Sequence, residues 1–160
     1  MDLNGNPQVT LDAGIQIEIE DPTLCGRFLA CVVKGRTVGP SPQWLQNRLI
    51  HLGMRPINNV VDISNYVMLE LGQPNHTYDL HKIKGSRLGT RRAKVGERLL
   101  TLDGLERTLS EIDGVIVDGD DNPVGIAGIM GGASSEISES TTEIIIAVSY
   151  THLRAHETLL

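Results

Sequence analysis

Residues 58–79 read NNVVDISNYVMLELGQPNHTYD. Asn58 or Asn59 opens a helix, because a short amide side chain can accept from the unpaired N–H groups of a first turn. Val60, Ile63, Val67 and Leu71 recur at helical spacing and share one face. Gly72 supplies the left-handed residue that ends helices, and Pro74 prevents continuation. Two features do not suit a helix that merely covers a core. Ser64 and Asn65 interrupt it between Ile63 and Tyr66, and it stops at the loop Gly72-Gln73-Pro74-Asn75-His76. Mid-helix Ser and Asn face solvent, bond back to the preceding turn, or line a recess. A loop histidine either sits in solvent or positions water, takes a proton or bonds a ligand.

Upstream lies SPQWLQNRLIHLG, residues 41–53. Ser41 is the expected N-cap, Pro42 suits the first helical position and Gly53 the C-terminal end. Leu45, Leu49 and Leu52 make its apolar stripe. Earlier still, Ile15, Ile17 and Ile19 alternate with Gln16, Glu18 and Glu20, the pattern of a half-buried strand. RFLACVVK, residues 27–34, reads as a second strand, and the Gly, Asn and Asp of 1–14 read as linker. Downstream the period falls to two. LGTRRA, ERLLTL and LERTL, GVIVD, PVGIAGIMGG and TTEIII are strand candidates, with Asp103-Gly104 as a two-residue hairpin turn. The fold expected is α+β, two or three helices in the N-terminal half packed on mostly antiparallel sheets.

The bulk numbers narrow the function classes. The 160 residues suit one domain of ordinary size, 40% hydrophobic and 21% charged, as globular chains are. Aromatics make up only 3%, so the core is aliphatic, and 17 Gly imply many tight turns. A net charge of −6 lacks the cation excess on which sequence-independent nucleic-acid binding rests. One local run, Lys82, Lys84, Arg87, Arg91, Arg92 and Lys94, is either a solvated strand face or a contact for an RNA end. Cys25 and Cys31 have no companion pair, which fits neither a zinc site nor a disulfide framework. No apolar run reaches the roughly 18 residues of a membrane span and no signal peptide is legible, so the expectation is a cytoplasmic protein without membrane contact. Arg55, before Pro56, either caps a turn or holds a phosphate or carboxylate. Gly125 to Gly132 is a glycine-rich run whose N–H groups can approach a ligand or an anion. It matches neither the dinucleotide fingerprint nor a P-loop.

Three long motifs agree on a resemblance. SPQWLQNRLIHLGMRPINNVVDISNYVMLELGQPNHTYDL (41–80), RRAKVGERLLTLDG (91–104) and NPVGIAGIMGGASSEISESTTEI (122–144) resemble the B3/B4 region of the bacterial phenylalanyl-tRNA synthetase β subunit. The resemblance implies a proofreading module that hydrolyses tyrosine wrongly esterified to the phenylalanine tRNA. An apolar pocket for phenylalanine rejects an isostere bearing one extra hydroxyl poorly, so a second, hydrolytic site is needed. By the same resemblance Arg55 holds the terminal adenosine or the ester end, Ser64 and Asn65 line the pocket, and His76 places the attacking water or binds the substrate. The backbone N–H of Gly131 meets the tyrosine hydroxyl. The implied catalytic residues are thus His76 and Arg55, and the substrate-binding ones Ser64, Asn65 and Gly131, with no metal. The implied partners are the tRNA(Phe) acceptor end and, in the full α2β2 enzyme, the α subunit. ATP and Mg²⁺ belong to other parts of the synthetase, and no cofactor is expected here.

The chain departs from the family pattern at three places. Ser64 stands where Thr is commoner, and Asn-His-Thr-Tyr replaces a His-Ala-Phe pattern. Ala147 stands where the family continues its last strand with a Glu that accepts from the tyrosine hydroxyl. The final VSYTHLRAHETLL (148–160) fits no family pattern and resembles translated sequencing-adapter read-through. The expected organisation is therefore linker or preceding region over 1–20, the B3/B4-type domain over 21–147 and a non-native tail over 148–160. A non-catalytic scaffold, or a module binding RNA or an amino acid, is the alternative to an editing site.

Overall fold

The computed structural model describes residues 14–151. Its elements run β1 (Gln16–Ile19), β2 (Cys25–Val33), α1 (Gln43–His51), α2 (Asn59–Leu71), β3 (His76–Asp79), β4 (Arg87–Arg92), β5 (Arg98–Leu100), β6 (Glu106–Thr108), β7 (Gly114–Val117), β8 (Pro123–Ile126), β9 (Met130–Gly131) and β10 (Ile144–Thr151). Five strands form one sheet in the order β1-β4-β7-β8-β9, three form a second as β2-β10-β3, and β5 with β6 make a separate hairpin. Among the described pairings only β1 with β4 is parallel. The α+β arrangement with mostly antiparallel sheets is as expected.

Alternation decides which sheet face is dry. Ile145 and Ala147 of β10 join Phe28 and Tyr78 in a core that also takes Leu88, Ile116 and Val124 from the five-stranded sheet. The two sheets therefore face each other over an aliphatic layer, and β1 adds Ile17 and Ile19 to its edge. Val115, Val117 and Ile126 point the other way and are covered by Ala93, Leu99 and Leu109 around the β5–β6 hairpin. Helix α2 lies on the far side of the three-stranded sheet, where Val60 and Val61 pack on Val38, Ile137 and Ile144, and α1 packs against α2.

Several local expectations change. Ser41 does not cap α1: Pro42 holds the cap position without a side-chain bond, and the Ser41 hydroxyl donates to Asp62 instead. Asp62 is fully buried and also accepts from the Ile57 N–H at 2.8 Å. One carboxylate thus ties the start of α1, the interhelical loop and the first turn of α2. Leu52, expected in the α1 stripe, is 58% exposed, whereas Leu45 and Leu49 are buried. Asn58 does cap α2, accepting from Val60 and Val61, and Gly72 ends it with φ 68°. The β5–β6 turn is longer than Asp103-Gly104 alone. Gly104 donates to the Thr101 carbonyl and Thr101 to that of Leu105, with Gly104 left-handed at φ 79°.

The domain boundaries also move. Gln16 to Ile19 pair with Arg87 to Thr90, so the end of the expected linker is a sheet strand. Strand β10 continues past Ala147 and pairs with β2 as far as Thr151 opposite Cys25. The boundary at 147 falls inside a strand, because Val148 and Ser149 keep the alternation begun by the three isoleucines. The rest of the expected tail, 152–160, and of the linker, 1–13, lies outside the described residues.

Candidate functional site

The polar interruption of α2 has a structural partner. The Ser64 hydroxyl donates to Asn75 Oδ1 at 2.5 Å, and Asn75 Nδ2 returns a bond to the Ser64 carbonyl at 3.2 Å. This two-point clamp fixes the Gly72–Asn75 loop against the helix immediately before β3. Asn75 was not singled out in the sequence, and the only signal for it was its place beside His76. Asn65, one residue further along the helix, is half-buried.

His76 is a strand residue rather than a loop residue. It opens β3 and stands opposite Ala147 in the antiparallel register. A four-residue strand of mixed polarity shows no alternation strong enough to be read from sequence, and its partner lies far along the chain. Its ring meets Tyr78 edge-on, with centroids 4.7 Å apart. The ring edge, Nε2 and Cε1, fills the space where a Gly131 side chain would stand, with Leu102 Cδ1 close behind. Burial lowers the His76 pKa to about 4, because the charged form loses its hydration. The imidazole is therefore neutral near pH 7, with one N–H donor and one acceptor nitrogen. Burial of the Tyr78 phenol likewise pushes its pKa up.

His76 and Gly131 are thus brought together, with Ala147 beside them and Ser64 linked through Asn75. Arg55 is not joined to them. It lies exposed in the loop between the helices, and no described contact connects it with His76 or Gly131. The glycine-rich run forms no anion cradle either: it folds as the β8–β9 hairpin, turning at Gly128 with φ 75°. The amides of Ala127, Ile129 and Gly132 are spent on the carbonyls of Gly114, Ile126 and Val124.

The opposite face of the same three strands is open. Ile144, Ile146 and Val148 of β10, with Thr77 of β3, form one wall of a groove of about 440 Å³. Val60, Ile63, Val67 and Leu71 of α2 form the other. The apolar stripe read from the sequence therefore faces this groove, with Ile63 53% exposed and Leu71 72%. Ser64 and Asn75 stand at its polar margin. Among the described residues no three His, Cys, Asp or Glu side chains are grouped to hold a metal, and no helix is long and apolar enough to cross a membrane.

The basic run of 82–94 is neutralised rather than presented. Arg91 is buried and forks onto Glu97 at 2.8 and 2.9 Å while its Nε reaches Asp121. Arg87 pairs with Glu18, Arg92 with Asp21 and Lys94 with Asp121. Arg91 in turn holds the Glu97 carboxyl below the usual range. The expected solvated strand face is instead an ion-paired one, with Arg91 buried at its centre.

Comparison with known proteins agrees with this fold. A family model described as the B3/4 domain matches residues 24–157. The phenylalanine–tRNA ligase beta subunit of Symbiobacterium thermophilum is 54% identical over 132 residues, 82% of this chain and 15% of that protein. Its counterpart from Carboxydothermus hydrogenoformans is 45% identical over 147 residues, 90% of this chain and 18% of that one. This chain thus spans less than a fifth of the length of either relative. A crystal structure of an N-terminal fragment of the phenylalanyl-tRNA synthetase beta subunit from Pyrococcus horikoshii superposes with a TM-score of 0.63 at 15% identity, over 92% of this chain and 46% of that one. At that identity the superposition speaks for the fold alone. The chain belongs to the B3/4 domain family, in the form carried by phenylalanine–tRNA ligase beta subunits.

Proposed function

We propose that this domain is the proofreading module of a phenylalanine–tRNA ligase beta subunit and hydrolyses tyrosine esterified to tRNA(Phe), with little preference over phenylalanine while Ala147 stands beside His76. The observation that carries the reading is the convergence of His76, Gly131 and Ala147. His76 and Gly131 come from two separate sequence motifs and meet at one end of β3, where Ala147 of β10 stands opposite His76. An aminoacyl ester is already activated, so a well-placed water suffices without a nucleophilic side chain. Water attacks the carbonyl carbon, the bond to the ribose oxygen breaks, and the ribose hydroxyl leaves with a proton. With a pKa of about 4, His76 is a weak base near pH 7, so its part is to orient that water rather than to hold its proton. Ser64 and Asn75 keep the loop, and hence His76, in place. In the assembled α2β2 ligase the partners are the tRNA(Phe) acceptor end and the α subunit, and the site of action is the cytoplasm.

A second reading, a module that binds without hydrolysis, draws on the departure at Ala147. A methyl group there cannot accept a bond from a phenolic hydroxyl, so the position beside His76 does not tell tyrosine from phenylalanine. Deacylation of tyrosyl-tRNA(Phe) by this chain and by His76→Ala separates the two. The proofreading reading expects a rate above the uncatalysed one that falls about a hundredfold in the variant. A chain no faster than buffer, or a variant as fast as the parent, supports the second reading.

A further inference from the structure

The chain's charge is unevenly spread. Residues 22–61 contain Arg27, Lys34, Arg36, Arg48 and Arg55 and not one Asp or Glu, although the chain holds 20 acidic residues and a net charge of −6. This acid-free stretch includes α1, and its outer face carries the chain's single Trp. Trp44 is 57% exposed. It meets Tyr66 of α2 edge-on, with centroids 5.8 Å apart. Arg48 bridges the two rings, its guanidinium 6.0 Å from the Trp44 centroid and 5.7 Å from that of Tyr66, and it donates to the Tyr66 hydroxyl at 2.8 Å. Exposed Arg55 follows in the loop after the helix.

Fold stability accounts for only part of this cluster: the ring pair and the Arg48–Tyr66 bond tie α1 to α2. An indole left more than half in water contributes little burial, and no described carboxylate pairs with Arg48 or Arg55. In the run 82–94, by contrast, five cations are matched to acids. A flat aromatic face, a guanidinium plane and cations without a described carboxylate partner are complementary to a base and its phosphates. We infer that the α1–α2 outer face, built on Trp44, Arg48 and Tyr66 with Arg55 at its edge, is a stacking platform for single-stranded RNA. The inference rests on charge and ring geometry and does not depend on hydrolysis at His76.

Because Trp44 is the only indole, its fluorescence reports directly on the platform. The experiment titrates this chain with a short single-stranded oligo(A) RNA, reading Trp44 emission and the anisotropy of end-labelled RNA at low and high salt. Quenching is expected, with binding that weakens steeply as salt rises. Trp44→Ala weakens binding by about ten- to a hundredfold, whereas Trp44→Phe retains most of it. Arg48→Gln and Arg55→Gln weaken it and flatten the salt dependence. The inference is overturned if oligo(A) leaves Trp44 emission unchanged, or if Trp44→Ala binds as tightly as the parent. It is equally overturned if Trp44 emission shifts with protein concentration in the absence of RNA, which identifies the face as a protein interface.

Discussion

Strand β10 sends alternate residues into two different environments. Ile145 is fully buried between the sheets, and Ala147 beside it is 4% exposed. Ile146, between them, is 38% exposed on the groove side. Strand β3 divides in the same way, with His76 and Tyr78 toward Gly131 and the core, and Thr77 toward the groove. His76 and Gly131 thus share the packed face, where burial sets the state of His76, and the apolar groove lies on the other face of the same strands.

The sharpest way to break this contrast is at adjacent positions. Ile145→Ala is expected to cost about 2–5 kcal/mol, the range for a buried branched side chain, while Ile146→Ala costs about 1 kcal/mol or less. Equal losses in denaturant titrations of the two variants would contradict the assignment of faces.

The next effect is on pH. The folded-state pKa of His76 is about 4 against an ordinary 6.5, so the unfolded chain binds more protons between those values. Stability from the neutral ring is fully present above pH 6.5 and is lost as pH falls toward 4, by up to about 3 kcal/mol. His76→Gln should flatten that window in urea melts across pH. Loss below pH 4 should remain, because Lys94 and Arg91 hold the Asp121 carboxyl low and that contribution disappears only as pH falls through the lowered value.

Gly131→Ala comes third. The added methyl collides with the His76 ring and crowds Leu102, an overpacking worth about 1–3 kcal/mol. A thermal melt unchanged from the parent would show that the ring does not stand there. The smallest effect is Ser64→Ala. Removing the clamp to Asn75 costs about 1 kcal/mol at a half-buried site, and the ester-clearing rate should fall more than the melting temperature suggests, because the loop ahead of His76 loosens.

Much of the fold was legible because its strands and helices carry local signals. Asn58 and Gly72 mark the ends of α2 by cap chemistry, and the alternating Ile17 and Ile19 mark an edge strand. What escaped depends on pairings distant in sequence. His76 reads as a loop residue until Ala147 arrives opposite it. Ser41 reads as a cap until buried Asp62 claims its hydroxyl. The basic run reads as a free patch until Glu18, Asp21, Glu97 and Asp121 fold onto it. Of the site residues expected, His76 and Gly131 meet and Ser64 joins through Asn75. Arg55 stays apart, because nothing in its local sequence fixes which way the interhelical loop faces.

The central claim is that position 147, beside His76, governs whether a tyrosyl ester is told from a phenylalanyl ester. Its most direct test is the ratio of deacylation rates for tyrosyl- and phenylalanyl-tRNA(Phe), measured for this chain and for Ala147→Glu, with circular dichroism confirming that both are folded. The account predicts a ratio within about tenfold of unity for the chain, as an apolar position gives, and at least about a hundredfold preference for tyrosine once a carboxylate can accept from its hydroxyl. A strong tyrosine preference in the unmodified chain, unaltered by the substitution, would contradict it and place recognition of the hydroxyl elsewhere in the domain.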